Sequence, residues 1–366
     1  MLKPIHHLTC SPALRACQRL QKQLVDWLCD VNIGAVDITT DKLKPPIVNT
    51  DIEADWLWRL LGKVYGKLPL LEKAKILADM LDPDKKRLRD WANAVSNVSS
   101  QFGANPPVWP VARPDIPKEA WAAFKELMEA FYEKGLRSGL PYTDDGTPIT
   151  KGGVNYVHFV MTFRENHRLN KNPDAREVCV LCGGPLGQVP EVDHWINKGD
   201  YPLLSVCADN LLPGCGDCNS STNKGAKPVH SQGSFAEWFH PYLCHAKGSI
   251  CLDYDVRTRS IAASAANPAD VKKVANLDWL LNLSNRWTRE FKAEYVNQQH
   301  VLLRREKIRK LNNHPGQTQN DILAHIRTVE ADLSPSEPHH EVHSVLVLAL
   351  FDQARIAAWQ TELGLV

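Results

Sequence analysis

A mainly helical fold with a small α+β centre is what this chain predicts, on three observations. Apolar residues recur at helical spacing through about residue 135 and again from about residue 275 onward. Between those stretches, residues 154–255 break into short pieces punctuated by Gly and Pro. Two Cys-x-x-Cys pairs, Cys179/Cys182 and Cys215/Cys218, lie inside the broken stretch, and their paired spacing reads as a metal site.

Each element has a local cause. Ser11-Pro12 marks a helix start, followed by Cys17, Leu20, Leu24 and Leu28 on one face. Thr50 and Glu53 make a capping box ahead of Trp56, Leu57, Leu60, Leu61 and Val64. Asp82-Pro83 ends one helix and starts another carrying Leu88, Trp91 and Val95. Pro106, Pro107, Pro110, Pro114 and Pro117 are too dense for helix and read as a linker. Trp121, Phe124, Met128, Phe131 and Tyr132 mark the next helix, and the turn-rich 139–153 a boundary. Tyr156–Asn170 reads as a further helix. In the last third, Leu280, Leu283, Trp287, Phe291 and Tyr295 share a face, with the pattern running to about Leu311. Ser334 to Glu337 reads as a cap before one closing helix that carries Leu346, Leu350, Ile356 and Trp359.

Composition narrows the function. The 366 residues are 43% hydrophobic and 23% charged, which excludes a disordered chain. Lys and Arg number 43 against 42 Asp and Glu, so any attraction to nucleic acid has to be a local patch. Val345–Phe351 is the longest apolar run, far below the roughly 20 residues of a membrane span. Residues 1–30 hold no continuous apolar block, so a cytoplasmic protein is expected.

Four thiolates in two knuckles form a closed tetrahedral set, the usual form of structural zinc, and closing it draws the sequence between the pairs together. That sequence contains Glu191-Val192-Asp193-His194-Trp195-Ile196, then Asn210-Leu211-Leu212, and Cys218 is followed by Asn219 and by Asn223-Lys224-Gly225. Alternation over residues 191–196 predicts a short strand, on which Asp193 and His194 point to opposite faces unless a twist or bulge intervenes. A helix from Cys215 would set Asn219 and Asn223 on one face. A carboxylate is a hard ligand for Mg²⁺, and an imidazole with a pKa of about 6.5 can deprotonate water near neutrality.

From Cys179 to Gly225 the order of these motifs resembles the HNH endonucleases, the ββα-metal or His-Me finger nucleases. The resemblance implies a zinc-braced ββα-metal module flanked by helical regions. It also implies that His194 is a general base, Asp193 and Asn219 are ligands of one Mg²⁺ or Mn²⁺, and Asn210 steadies the loop and the histidine. Products with 5′-phosphate and 3′-hydroxyl ends follow from it. The family commonly has asparagine three residues before the lysine; here Lys224 lies five after Asn219 and one after Asn223, so Asn223 competes as the ligand. Asn219 is preferred because it directly follows Cys218. Lys224 is carried over as a phosphate contact.

The expected organisation is an N-terminal helical domain at 1–150, the nuclease module at 151–255 and a C-terminal helical extension at 256–366. Residues 271–310 carry ten Lys/Arg against four acids, and Arg304, Arg305, Arg309 and Lys310 are candidate contacts to nucleic acid, DNA before RNA. HNH modules with large helical flanks resemble effectors of bacterial anti-phage or mobile-element systems. No P-loop is present, so a partner ATPase would be a separate chain. The alternative is a non-catalytic zinc-stabilised module that binds nucleic acid or protein. His240, Cys244, His245 and Cys251 are too irregular for a second ion, Cys10, Cys17 and Cys29 read as core, and His339, His340 and His343 read as a solvated linker.

Overall fold

The computed structural model describes residue 3 and residues 5–364 apart from 189 and 256. The N-terminal region holds α1 (Ser11–Leu28), α2 (Asp51–Leu61), the paired β1 (Val64–Tyr65) and β2 (Leu68–Pro69), α3 (Leu70–Ala78), α4 (Asp82–Val95) and α5 (Lys118–Ala130). The last helix passes directly into a π-helical turn, Phe131–Leu136. Pro12 sits in the first turn of α1, and Cys17, Leu20, Leu24 and Leu28 are fully buried. The Thr50 hydroxyl caps α2 by accepting from the Glu53 amide at 3.2 Å. The return bond goes to the Asn49 amide instead of that of Thr50, and the buried Glu53 carboxylate also takes Arg19 at 2.6 Å and the Tyr142 hydroxyl at 2.7 Å.

The proline-rich stretch is packed, not a free linker. Trp109 is buried within it, Trp91 donates from Nε1 to the Ala112 carbonyl, and the Tyr201 hydroxyl donates to the Pro110 carbonyl. Proline removes amide donors but leaves carbonyls, so indole and phenol donors from neighbouring elements satisfy the segment. Residues 139–153 form a compact turn closed by Leu140–Val154 and Val154–Tyr142 backbone bonds, both 2.8 Å.

The centre comprises α6 (Tyr156–His167), the antiparallel hairpin β3 (Glu191–His194) and β4 (Leu211–Gly214), and α7 (Gly216–Asn219), a single turn. Its helix ends at Asn219 because Ser220 is extended, so Asn219 and Asn223 do not share a helical face.

A second hairpin, β5 (Ile250–Asp255) with β6 (Ser260–Ala265), opens the C-terminal region. The expected boundary at 255/256 falls between the two strands of this hairpin. Alternation is present in β5, with Ile250, Leu252 and Tyr254 on one face and Cys251, Asp253 and Asp255 on the other, but the small residues of β6 (Ser260, Ala262, Ala263, Ser264 and Ala265) blur it in the partner strand. α8 (Val271–Leu281) and α9 (Leu283–Leu311) are separated by left-handed Asn282, where the Asp278 carboxylate accepts from both the amide and the hydroxyl of Ser284. Ser284 and Thr288 on α9 then accept the Ala263 and Ile261 amides, covering the outer edge of β6. α10 (Gln319–Asp332), α11 (His340–Leu350) and α12 (Gln353–Glu362) complete the chain. The single closing helix is in fact two, bent by 86° and restarted by the Asp352 side chain at the Arg355 amide. Among the described residues no single helix is long and apolar enough to cross a membrane. Buried side chains from Ile5 to Trp359 form one contiguous cluster shared by all three regions.

The 139–153 turn makes a sharp demand on its glycines. A Cβ on Gly153 would overlap the carbonyl oxygens of Leu140 and Tyr142, whereas Gly152 has φ +77° and open space around it. Gly153→Ala is expected to cost about 3 kcal/mol by forcing the backbone apart. Gly152→Ala is expected to cost only about 1–2 kcal/mol, the left-handed penalty alone. Urea unfolding of the two variants checks the order.

Candidate metal centre and adjoining polar site

Both knuckles are shaped by backbone before any ion is considered. In the first, the Cys179 amide donates to the Gly184 carbonyl at 2.7 Å and the Gly183 amide to the Cys179 carbonyl at 2.9 Å. Gly183 adopts φ +76°, and the Gly184 amide points at the Cys182 sulfur at 3.4 Å. The second knuckle follows from β4, which delivers Cys215 to the N-cap of α7 and Cys218 into its single turn. All four cysteines are buried, and their sulfurs lie within 4.8 Å of one another. The Cys182 and Cys215 sulfurs are 3.8 Å apart. A tetrahedron with Zn–S bonds of about 2.3 Å has edges of about 3.8 Å, so the donor set and spacing suit Zn²⁺ in a closed, structural site. Among the described residues this is the one group of cysteines, histidines and carboxylates close enough to hold a metal.

An arginine covers the cluster. Arg286, on α9, donates from Nη1 to Cys218 Sγ and from Nη2 to Cys182 Sγ, each at 3.3 Å. Burial works against its charge, and the thiolates of Cys218 and Cys182 more than offset this, raising its pKa. Its neighbour Trp287 donates from Nε1 to the Cys182 carbonyl at 3.0 Å. Sequence reasoning placed Arg286 only in a basic segment. Its partners are 68 and 104 residues away, so no local spacing marks it.

Asp193 and His194 leave β3 toward different partners, as the pleat requires. His194 stands edge-on to the Tyr132 ring at 4.7 Å, and its Nε2 lies 2.9 Å from the Ser205 carbonyl oxygen. A carbonyl only accepts, so Nε2 carries the hydrogen and Nδ1 keeps the lone pair. Burial, with Lys198 nearby, pushes the pKa of His194 down to about 3, the Ser205 bond opposing, so the ring is neutral near pH 7.

Asp193 is also buried. Its Oδ1 accepts from Lys224 Nζ at 2.9 Å, while Oδ2 is enclosed without a hydrogen-bond partner. Burial raises its pKa, and Lys224 opposes that rise. Lys224 donates a second bond to the His194 carbonyl at 2.8 Å and is wholly buried. The expectation of Lys224 as a phosphate contact is therefore corrected: its ammonium is spent inside the fold on Asp193.

The three asparagines have separate tasks. Asn210 is fully buried and clasps the β3–β4 connection: its Oδ1 accepts from the Ile196 amide at 2.6 Å, and its Nδ2 donates to the Ile196 and Leu204 carbonyls. This holds the loop whose Ser205 carbonyl orients His194. Asn219 donates from Nδ2 to Glu191 Oε2 at 2.7 Å, and Asn223 donates to the Asp217 carbonyl at 2.6 Å. Sequence reasoning missed Tyr132 and Ser205. It also missed Gln21, which donates to both the Ser205 hydroxyl and the Met128 carbonyl.

The remaining candidates fall elsewhere. Arg304 and Arg305 are exposed on α9, while Arg309 pairs with Asp321 at 3.3 Å and Lys310 with Glu306 at 3.5 Å. The segment read as a solvated linker is packed. The His339 amide donates to the Gly183 carbonyl at 2.6 Å, and His343 Nε2 meets Glu290 at 3.0 Å.

Over 108 aligned residues the chain is 34% identical to protein ea31 of Escherichia phage lambda, covering 26% of this chain and 35% of that protein. The chain thus spans about a third of that relative's length. No family model matches, and no solved structure matches.

Two outcomes follow from this geometry. Purified protein is expected to carry one zinc per chain, lost in Cys182→Ser. In Arg286→Met the stoichiometry should hold, with affinity roughly 10–100-fold weaker, as for other outer partners of metal ligands; chelator competition reads both. The second concerns pH. His194 and His240 are held near 3 by burial, while unfolded histidines titrate near 6.5. Between about pH 6.5 and 3 the unfolded chain binds more protons, so stability falls as pH drops through that window. His194→Gln should flatten that slope by up to about 1.4 kcal/mol per pH unit, measured by urea unfolding at several pH values.

Proposed function

We propose that this chain is a metal-dependent endonuclease of the HNH type that hydrolyses phosphodiester bonds, in DNA in preference to RNA. One observation carries the reading. His194 is held neutral, with its Nε2–H fixed on the Ser205 carbonyl and its Nδ1 lone pair free of that bond, on a hairpin that the four-cysteine cluster braces. A neutral ring with a free Nδ1 lone pair is what a general base needs before it takes a proton, although burial at the same time makes this imidazole a weaker base than an exposed one. Asp193 Oδ2, buried and unpartnered, supplies an acceptor suited to a cation.

On this reading His194 Nδ1 takes a proton from water as the water oxygen bonds to phosphorus and the bond to the 3′ oxygen breaks. The 3′ oxygen leaves with a solvent proton, giving 5′-phosphate and 3′-hydroxyl ends. Asp193 and Asn219 would hold one Mg²⁺ or Mn²⁺, which when bound polarises the phosphate and stabilises its developing charge. Asn219 is favoured over Asn223 because it directly follows the cluster ligand Cys218, although both side chains donate from Nδ2 and leave Oδ1 free. Asn223 instead serves the backbone of α7. We further assign the protein to an anti-phage or mobile-element system, with any ATPase on a separate chain. The partial similarity to a phage protein supports the mobile-element setting.

One observation favours a second reading, a non-catalytic zinc-stabilised binding module. The Lys224 ammonium already gives Asp193 a cationic partner. Incubation with supercoiled plasmid and Mg²⁺ or Mn²⁺ separates the two. Nicking that EDTA abolishes, and that His194→Ala lowers by a factor of about 10²–10⁴ with zinc content unchanged, supports the nuclease. Intact plasmid in every condition supports the binding module. Among active variants, Asn219→Ala is expected to raise the Mg²⁺ needed for half-maximal rate more than Asn223→Ala does.

A further inference from the structure

The N-terminal region, for which the sequence suggested no role, meets the polar site through the π-helical turn Phe131–Leu136. Such turns insert one residue into a helix and recur at functional sites. Here the turn sets Tyr132 against His194 at 4.7 Å and Gly135 against Trp56, where a Cβ would lie 3.2 Å from the indole.

Cations gather along the same turn. Lys198 Nζ lies 4.6 Å from the centre of the Tyr132 ring. Arg137 lies 5.7 Å from that ring and 5.4 Å from that of Tyr156. One residue before Tyr156, Asn155 lines a cavity of about 370 Å³. Arg59, Lys63 and Lys151 line it too, with Ser138 and Gly152. Lys63 Nζ ties the cavity to the π-turn by donating to the Lys134 carbonyl at 3.0 Å and the Ser138 hydroxyl at 3.2 Å.

Compensation is sparse. Glu133 meets both Lys198, at 2.5 Å, and Arg137, at 3.2 Å. Among the described residues no ion pair involves Arg59, Lys63, Lys134 or Lys151. Burial chiefly, with the neighbouring Lys134 and Arg59, lowers the pKa of Lys63. On α9, Arg309 and Lys310 are paired with acids, while Arg304 and Arg305 are exposed and, among the described residues, in no ion pair, so that helix is the rival surface.

We infer that Arg59, Lys63, Arg137, Lys151 and Lys198 form a track for a phosphodiester backbone that runs from the cavity past Tyr156 and Tyr132 to His194. Six cations, Lys134 included, share one contacting carboxylate, so a polyanion is the complementary partner. The open glycine backbone at Gly152 leaves room for a sugar-phosphate chain, and the half-buried Tyr156 ring offers a face on which a base can stack, whereas Tyr132 is buried and serves as the wall behind the cations. The end point at His194 rests on the nuclease reading; the binding surface does not.

The test measures binding in a His194→Ala background, so that cleavage does not enter. The probes are a short DNA duplex, single-stranded DNA of the same sequence and an RNA duplex, titrated by fluorescence anisotropy at several salt concentrations. Arg59→Gln, Arg137→Gln and Lys151→Gln are combined, since all three side chains are exposed. Zinc content and circular dichroism verify the fold. The triple variant is expected to bind at least tenfold more weakly. Its slope of log affinity against log salt should be shallower by roughly 0.9 per lost duplex contact, about 2–3 in all. The probe with the largest change identifies the backbone form. A wild-type slope in the triple variant, or no affinity for any probe in the parent, overturns the inference. Loss of slope confined to a variant of Arg304, Arg305, Arg309 and Lys310 overturns it as well and moves the contact to α9. Failure of the nuclease reading shows differently, as a wild-type protein that binds but never cuts.

Discussion

The rest of the central structure depends on the four-thiolate cluster. β3 and β4 are four residues each and α7 is one turn, too little to hold a hairpin, a loop and a following segment in fixed relation. The cluster closes the chain between residues 179 and 218 at a single point, and a bound structural ion contributes on the order of 10 kcal/mol to such modules. It is also where the C-terminal region attaches. Arg286 and Trp287 reach it from α9, and the His339 amide bonds the Gly183 carbonyl from the far side of the chain. A Cys₄ zinc site carries two negative charges, so a guanidinium against its sulfurs serves both packing and charge balance.

From that anchor, order passes to the β3–β4 connection. From the end of the loop, the Asn210 side chain binds its start at Ile196 and its middle at Leu204, and Ser205, next to Leu204, is fixed from the N-terminal region by Gln21 and the Met128 carbonyl. The Ser205 carbonyl then sets the ring orientation and tautomer of His194. Every step is a buried hydrogen bond whose loss would leave an unpaired polar group, which makes the orientation of His194 stiff. The N-terminal helices therefore form part of the polar site's framework, and not merely a neighbouring domain.

How much of this was legible follows from distance along the chain. Helix starts at Pro12, Thr50 and Asp82 were read because their causes lie within four residues. The cysteine knuckles and the β3 strand were read for the same reason. The break at Asn282 was not, because the Asp278–Ser284 bonds that stabilise it have no distinctive spacing. The β5–β6 hairpin was not read because β6 is mostly Ala and Ser, which carry little apolar contrast between its two faces. Arg286 and Tyr132 act on partners some sixty or more residues away and Ser205 across the β3–β4 connection, and the burial of Lys224 depends on how residues 220–223 fold back onto β3. Local pattern identifies which residues are equipped for chemistry; only tertiary placement decides which of them meet.

The Asp193–Lys224 pair gives that placement a consequence for charge. A carboxylate wholly buried without a partner would neutralise by taking up a proton, and the ammonium keeps the ionised form available. The pair is neutral, with one oxygen still unsatisfied. A divalent ion added on that oxygen would leave about two units of positive charge in a buried setting, which is costly unless an anion arrives with it. Under the proposed function the substrate phosphate is that anion. Lys224 then weakens metal binding in the free protein and couples it to substrate, while the cations of the N-terminal region, outside the buried pair, supply the attraction that brings the phosphate in.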